Sequence, residues 1–333
     1  MIVDYQHIDQ QQWERLIDCS PTASWFQTPQ AYKFLCEVQD ELIPFCYGVA
    51  TDDRLKGVCV GYVVGNGKTK FGRFFTSRAV INGGPLLDSN ITDNELTELL
   101  NVVANRLKRK AIYIETRNFS DYSKWKHVFQ KCDFQYVPHY NYIQPTATIE
   151  SDMYYDRHHN IRQSIRNGLE IKIVMPRDEN FNQTISDFYT LLSILYKRHL
   201  HLPVFSQHFF ERLVCQDDAR FFVALQNGKV VGGELCVELR NSTLYSWYGC
   251  RDRAISGVHP EVFATYKAIC WARDNGIPWF DFMGAGTPEQ PYGVREFKAR
   301  FGGQCVEYGR FLVVNSPLRY ALGKIGIRLM QKL

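Results

Sequence analysis

The sequence predicts an α/β protein (α+β, with mixed sheets), made of two halves that repeat one order of elements. Three observations predict this class. The 333 residues exceed the usual size of one domain, alternating apolar runs occur in both halves, and each half has one long helical pattern followed by a strand. The boundary falls near Pro145–Ser151, which predicts domains over 1–148 and 149–315 and a C-terminal helix over 316–333.

The second half shows the pattern more clearly, with the predicted order β-α-α-β-β-β-α-β-α-β. Its elements are a strand at Leu169–Met175, helices at Phe181–Leu200 and Gln207–Cys215, strands RFFVALQ, KVVGGELCVEL and TLYSWYGC, a helix at Pro260–Asp274, the strand IPWFDFMG, a helix at Tyr292–Arg300 and the strand QCVEYGRFLVV. Asn227-Gly228 lies between two apolar alternations and predicts a tight hairpin, because both turn positions need positive φ.

The first half repeats this order more faintly. Its predicted elements are helices at Trp13–Asp18 and Pro29–Val38, strands IPFCYGVA, LKGVCVGYVVG and KFGRFFTS, a helix at Asn94–Arg109, the strand AIYIETR, a helix at Tyr122–Cys132 and the strand FQYVPHYNYI. The strand AIYIETR follows one long helix as IPWFDFMG follows the other. One fold used twice explains this parallel.

Composition and charge exclude several classes of protein. The formal net charge is only +4, so we expect no DNA partner. The N-terminus has no basic stretch leading into an apolar run, and no eighteen apolar residues stand together, so neither a signal peptide nor a membrane span is predicted. The ten cysteines form no CxxC pair, which favours free thiols in a reducing cytoplasm over zinc or disulfides. We expect a cytoplasmic monomer without metal or cofactor.

Several motifs carry a family resemblance. The second half contains, in order, NIRQSIRNGLEI, YSWYGCRD, WFDFMGAG and GVREFKARFGG, and the first half contains WFQTPQAYKFL. In this order the chain resembles the FemABX family over nearly its whole length, most clearly over 155–314. The resemblance implies two tandem GNAT-like domains. The chain has no room for the helical arm through which some members bind tRNA, so it resembles the compact, armless members.

The resemblance also implies an activity. FemABX enzymes move an aminoacyl group from aminoacyl-tRNA onto an amine in the stem peptide of a UDP-linked or lipid-linked peptidoglycan precursor. The alternative is a GNAT-type N-acyltransferase that uses an acyl thioester such as acyl-CoA on an amino acid, lipid or polysaccharide precursor. A non-catalytic binding protein is a third class, which the presence of Lys298 disfavours.

Two residues are candidates for the chemistry. In this reaction the amine must lose a proton, and the tetrahedral oxyanion needs a positive or hydrogen-bonding partner. Lys298, near the glycine bend at Gly284–Gly286, is the candidate for the oxyanion, and Asp281 is the candidate for orienting the amine. The competing interpretations are a solvated lysine on an amphipathic helix and an aspartate that caps the next turn.

Other candidates are predicted to bind substrate. Tyr248, Gly284, Gly286 and Phe297 lie in the resembling motifs. Phosphates need cations: His158, Arg162 and Arg166 are spaced four apart and share a helix face, Arg198 matches by position a family arginine that contacts precursor phosphates, and Lys33 is a weaker candidate. A solvated basic helix, or a favourable helix-end cation at Arg198, explains the same residues without a ligand.

The C-terminal segment SPLRYALGKIGIRLMQKL predicts an amphipathic helix begun by Pro317. Its apolar stripe has a basic flank. Two roles remain open for it: docking on its own domain, or peripheral contact with an anionic membrane at its inner face.

Overall fold

The computed structural model describes residues 1–65, 76–289 and 293–330, with side chains as far as residue 323. The chain forms two compact units. Unit 1 comprises Met1–His139 and Glu307–Leu333, and unit 2 comprises Tyr140–Val306.

The strands are numbered along the chain. They are β1 (Ile2–Asp4), β2 (Ile43–Thr51), β3 (Arg54–Val64), β4 (Arg78–Gly83), β5 (Leu86–Leu87), β6 (Tyr113–Asn118), β7 (Gln135–Val137), β8 (Tyr140–Pro145), β9 (Leu169–Val174), β10 (Ala219–Gln226), β11 (Lys229–Leu239), β12 (Thr243–Arg251), β13 (Trp279–Gly284), β14 (Gln304–Glu307) and β15 (Arg310–Val314).

The helices are numbered in the same way. They are α1 (Gln10–Cys19), α2 (Pro29–Glu37), α3 (Asp93–Leu107), α4 (Lys126–Lys131), α5 (Ile149–Asp152), α6 (Tyr155–Arg166), α7 (Phe181–Leu195), α8 (Gln207–Val214), α9 (Pro260–Asp274), α10 (Gly293–Ala299) and α11 (Pro317–Met330). A π-helical turn, Tyr196–Leu200, follows α7 and ends at His201, which has left-handed backbone angles.

Unit 1 is built on a mixed sheet with the strand order β1-β2-β3-β4-β6-β15-β7, and β5 pairs with β3. Its long helix α3 begins at a capping box, in which Thr92 and Glu95 satisfy each other's backbone N–H groups. The apolar residues of α3 recur at helical spacing and are buried in the core. They are Leu96, Leu99, Leu100, Val103 and Leu107.

Unit 2 is built on a mixed sheet with the order β14-β8-β13-β12-β11-β10-β9. The predicted hairpin between β10 and β11 is present, with φ of 51° at Asn227 and 75° at Gly228. The long helix α9 packs on the sheet, and its buried residues join Phe222, Phe280 and Phe301 in the core. Two mixed sheets flanked by helices confirm the predicted α/β fold class.

Two predicted strands are wrong in the same way, because each is two strands in different sheets. FQYVPHYNYI divides into β7 in unit 1 and β8 in unit 2, and QCVEYGRFLVV divides into β14 in unit 2 and β15 in unit 1. Pro138 has no N–H to donate to a ladder, which explains the first break. At the second, Gly309 has φ of 67° and its N–H donates to the His139 carbonyl. Residues 307–333 therefore return to unit 1.

One further predicted strand precedes β4. Most of the predicted strand KFGRFFTS (70–77) lies outside the described residues. The strand β4, which begins directly after it at Arg78, was not predicted. None of the helices that the structure describes is long and apolar enough to cross a membrane.

Candidate active site

The parallel strands β12 and β13 of unit 2 separate part-way along their length. They pair over only three residues, from Thr243 opposite Trp279 to Tyr245 opposite Asp281. Both strands then carry an irregularity: β12 has an extra residue, Trp247, relative to β11, and β13 has an extra residue relative to β8 between Asp281 and Gly284. The separation and the bulges leave backbone groups of β13 without a strand partner.

Two charged side chains satisfy the backbone at this bulge. Met283 has φ of 61°, and its N–H donates to Oδ1 of Asp281 at 2.5 Å. The ammonium of Lys298 donates to the carbonyls of Phe282, at 2.5 Å, and Gly284, at 2.7 Å. Both charged residues are buried. Lys298 therefore points into the unit, and the interpretation as a solvated lysine on an amphipathic helix is wrong.

Glu234 on β11 is a third buried charged group, which the sequence analysis missed. Its carboxylate accepts hydrogen bonds from the hydroxyls of Ser246 and Thr265, the latter at 3.3 Å. Gly249 leaves the space that this carboxylate occupies, since a Cβ there would lie 2.5 Å from Oε2 of Glu234. The signal in the sequence is a single acid inside the apolar run KVVGGELCVEL.

Two of these three groups, Glu234 and Lys298, border a cavity of about 460 Å³ in unit 2. Glu234, Ser246 and Thr265 contribute to its wall, as do Phe297 and Lys298. The bulged residue Trp247 and the π-turn residue Tyr196 form an aromatic part of the lining. A cavity with an apolar wall and a few convergent polar groups is typical of a small-molecule site.

Burial sets the ionisation of the three charged groups. It raises the pKa of the Glu234 carboxyl to about 7, although the bonds from Ser246 and Thr265 act in the opposite direction. It also raises the pKa of Asp281 to about 7, against the Met283 N–H bond and the Lys298 charge. Burial lowers the pKa of Lys298 to about 8, against both carboxylates. Near neutral pH such a cluster can accept a proton on a carboxyl and still present a cation.

Several predicted substrate residues lie at or beside this cavity. Gly284 and Phe297 line it. Gly286 has φ of 81°, and its carbonyl accepts the N–H of Tyr140 at 2.9 Å, which fixes the bend after β13. Tyr248 is half-buried beside the lining, with its ring 5.4 Å from that of Trp247 and 6.3 Å from that of Tyr196.

The predicted phosphate-binding cations are placed differently. Arg162 and Arg166 on α6 and Arg198 on the π turn are exposed, and none of them is among the described residues that line the cavity. Lys33 is exposed on α2 of unit 1. Their binding roles stay predictions. Arg157 on α6 is buried instead, where it donates to the Phe297 carbonyl at 3.1 Å and lies over that ring.

Comparisons with known proteins agree with this geometry. Residues 156–298, which include the whole cluster, match the family model described as an acetyltransferase (GNAT) domain. The crystal structure of FemX shares 14% identity with a TM-score of 0.69, over 97% of this chain and 99% of that one. The chain has the tandem GNAT fold of FemX. The predicted resemblance to the FemABX family is thus confirmed in the fold.

Two further structures share the fold over nearly the full length of both chains. L-PGS from Bacillus licheniformis has 12% identity and a TM-score of 0.60, covering 97% of each chain. A tandem GNAT protein from the clavulanic acid biosynthesis pathway has 10% identity and a TM-score of 0.56, covering 95% of this chain and 99% of that one. No curated protein matches the sequence.

Proposed function

We propose that the chain transfers an aminoacyl group from aminoacyl-tRNA to an amine in the stem peptide of a UDP-linked or lipid-linked peptidoglycan precursor, in the cytoplasm. The observation that carries this proposal is the pair of buried charged groups, Glu234 and Lys298, that line the cavity of unit 2, with the buried Asp281 behind them at the bulge. The fold shared with FemX over 97% of the chain supports the choice of donor and acceptor.

Each member of the cluster has a role in acyl transfer. A neutral amine attacks the ester carbonyl, the C–N bond forms, and the carbonyl oxygen becomes an oxyanion. Glu234, with its pKa near 7, takes a proton from the attacking nitrogen and returns it to the ribose oxygen as the C–O bond breaks. The products are an amide and a free ribose hydroxyl, so atoms and protons balance.

Lys298 serves the oxyanion. Two of its three N–H groups are held by the carbonyls of Phe282 and Gly284, which fix the direction of the ammonium. The third N–H has no partner among the described residues and can donate to the developing negative charge. Asp281 acts through the backbone: by bonding Met283 it holds the bulge whose carbonyls position Lys298. We assign it as a positioning residue.

A second candidate is N-acylation from an acyl thioester. The match of residues 156–298 to an acetyltransferase (GNAT) domain favours it, as does the shared fold of the tandem GNAT protein named above. The same cluster would act in the same way, because a thioester carbonyl also forms an oxyanion when an amine attacks it.

The test compares donors on one acceptor. The full chain is incubated with a UDP-linked stem-peptide precursor and either a mixture of charged tRNAs or acetyl-CoA, and the product mass is measured. We expect an aminoacyl adduct with tRNA only. An acetyl adduct alone would establish the thioester candidate and overturn the proposal.

A substitution tests the role of Glu234 in that assay. Glu234→Gln keeps the size of the side chain but cannot accept a proton, so transfer should fall by roughly 100- to 10,000-fold. Glu238→Gln, on the same strand at its half-buried end, is the matched control and should retain transfer. Undiminished transfer by a folded Glu234→Gln variant would remove Glu234 from the mechanism.

A further inference from the structure

Three arginines share one face of the sheet in unit 1. The parallel strands β4 and β6 pair from Arg78 opposite Tyr113 to Asn82 opposite Arg117. Alternate residues of a strand face the same side, so Arg78 and Asn82 share a face with Arg117. Glu115 is two residues before Arg117 on β6, so it faces the same side. Arg310 on β15 lies on this face too, because its guanidinium bonds to Glu115. We call this set the arginine face.

The charges of the arginine face do not balance. Glu115 accepts hydrogen bonds from Nε of Arg117, at 3.3 Å, and from Arg310. Among the described residues it is the only carboxylate within ion-pair distance of these arginines. Three guanidinium groups and one carboxylate leave a formal excess of two positive charges. The side chains of Arg310 and Glu115 are largely covered, so bulk water screens this excess only in part.

Two polar atoms of the same face lack a partner. Nε of Arg78 and Oδ1 of Asn82 are both buried without a hydrogen bond in the described part of the chain. A buried donor without an acceptor is unfavourable, and native proteins rarely keep one. The Asn82 amide can turn to present its NH₂ group in place of its oxygen. Asn82, opposite Arg117, and Arg78, four residues earlier on β4, therefore offer donors on the face where the positive charge is in excess.

We propose that Arg78, Asn82 and Arg117 form an oxyanion-binding site in unit 1. Guanidinium groups are planar forks that bind phosphate or carboxylate oxygens in pairs, which a lysine does not do. The ligand class is an oxyanion that carries two charges or belongs to a larger anionic molecule. Two chemical sources supply such a group, a pyrophosphate and the terminal carboxylate of a peptide.

Direct titration of the full chain tests this site without donor or turnover. Inorganic pyrophosphate and the dipeptide alanyl-alanine are titrated separately by calorimetry at low salt. Tighter binding of pyrophosphate identifies the phosphate source, and tighter binding of the dipeptide identifies the peptide source. A chain that binds neither probe overturns the proposal.

Arg78→Gln is the informative variant, because Arg78 forms no ion pair with any residue that the structure describes. Losing one charged hydrogen-bonding group should weaken binding roughly 10- to 100-fold. Arg109→Gln removes the same charge from an exposed position in unit 1 and should bind as the parent does. A folded Arg78→Gln variant with unchanged affinity overturns the site. Binding that persists in a chain without transfer activity would separate this inference from the proposed function.

Discussion

Units 1 and 2 place an acid at the same step of their parallel strand pairs. Counting from the first paired residue, Glu115 is third on β6, opposite Val80, and Asp281 is third on β13, opposite Tyr245. Burial disfavours the charge of both. At Glu115 the arginines Arg310 and Arg117 outweigh burial and hold the pKa at about 2. At Asp281 burial prevails, and the pKa rises to about 7.

The difference follows from how far each strand pair stays closed. In unit 1 all six residues of β4 pair with β6, so the ladder satisfies the backbone and Glu115 bonds to arginine side chains instead. In unit 2 the pairing stops after three residues, and Asp281 and Lys298 are drawn inward to satisfy the bulge. The proposed anion-binding face thus lies where the strands stay together, and the proposed proton-transfer site lies where they part.

Lys298→Ala should strongly reduce the activity of the unit 2 site. The rate of the chemical step should fall roughly 100- to 1000-fold, the usual loss for one oxyanion donor, while substrate affinity changes far less. Single-turnover transfer measures the step. In the parent, the pH–rate profile should rise as Glu234 ionises near 7 and fall as Lys298 deprotonates near 8. The alkaline limb should disappear in the variant.

Stability controls accompany this prediction. Removing the ammonium leaves the carbonyls of Phe282 and Gly284 without their donor, at a cost of about 1–3 kcal/mol for each buried group. Lys298→Met keeps the stem volume and should recover part of the Tm but none of the rate. Lys229→Ala, at an exposed strand end, is the matched control. A folded Lys298→Ala variant with parental transfer would leave Lys298 a purely structural residue.

The sequence predicted the residues of this site that lie near the C-terminal end of unit 2, but it did not predict Glu234. Asp281, Gly284, Phe297 and Lys298 stand within one short stretch, WFDFMGAG to GVREFKARFGG, so motifs could identify them together. Glu234 stands on a separate strand, and only the tertiary fold brings it to the cavity. The burial that sets its pKa is likewise invisible in a linear sequence.

The division of two predicted strands between the two sheets was missed for a similar reason. Both FQYVPHYNYI and QCVEYGRFLVV keep an apolar alternation across the break, so periodicity alone favours one strand in each. Arg78 and Arg117 were not singled out either, because they are 39 residues apart in the sequence and only the parallel register brings β4 beside β6. Pairing partners are long-range information, whereas turns such as Asn227-Gly228 are local and were predicted.

Two glutamate substitutions, one in each unit, should change the free energy of unfolding with opposite pH dependence. Glu115 has a depressed pKa, so its ion pairs stabilise the fold above the unfolded pKa and are lost as pH falls toward about 2. Glu115→Gln should therefore cost about 2 kcal/mol at pH 7, with a discount for the partial exposure of Arg117, and less at pH 3. Denaturant unfolding at several pH values measures this difference.

Glu234→Gln should show the reverse trend in the same measurement. Its raised pKa means that burial favours the protonated acid below the unfolded pKa, and that this stability is lost as pH rises through about 7. Glutamine resembles the protonated form at every pH, so the stability of the variant relative to the parent should rise between about pH 4.5 and 7. Parallel pH curves for the two variants would contradict the assigned electrostatics of the two units.

The smallest effect is expected at the exposed arginines of unit 2. Changing Arg162 and Arg166 together to Ala should raise the KM for a UDP-linked precursor or charged tRNA only a few-fold at low salt, because exposed charge contacts are weak. The kcat should not change. The effect should vanish at about 1 M salt, where the screening length is near 3 Å. Arg15→Ala with Arg54→Ala, two exposed arginines of unit 1, is the matched control.

This last measurement separates a binding surface from a solvated one. An increase in KM that depends on salt, present in the Arg162 and Arg166 variant and absent from the control, would assign phosphate contacts to α6. An increase that persists at high salt with a lowered Tm would indicate damage to the fold, since α6 also carries Arg157, whose guanidinium packs on Phe297. No increase at low salt would make α6 a solvated helix.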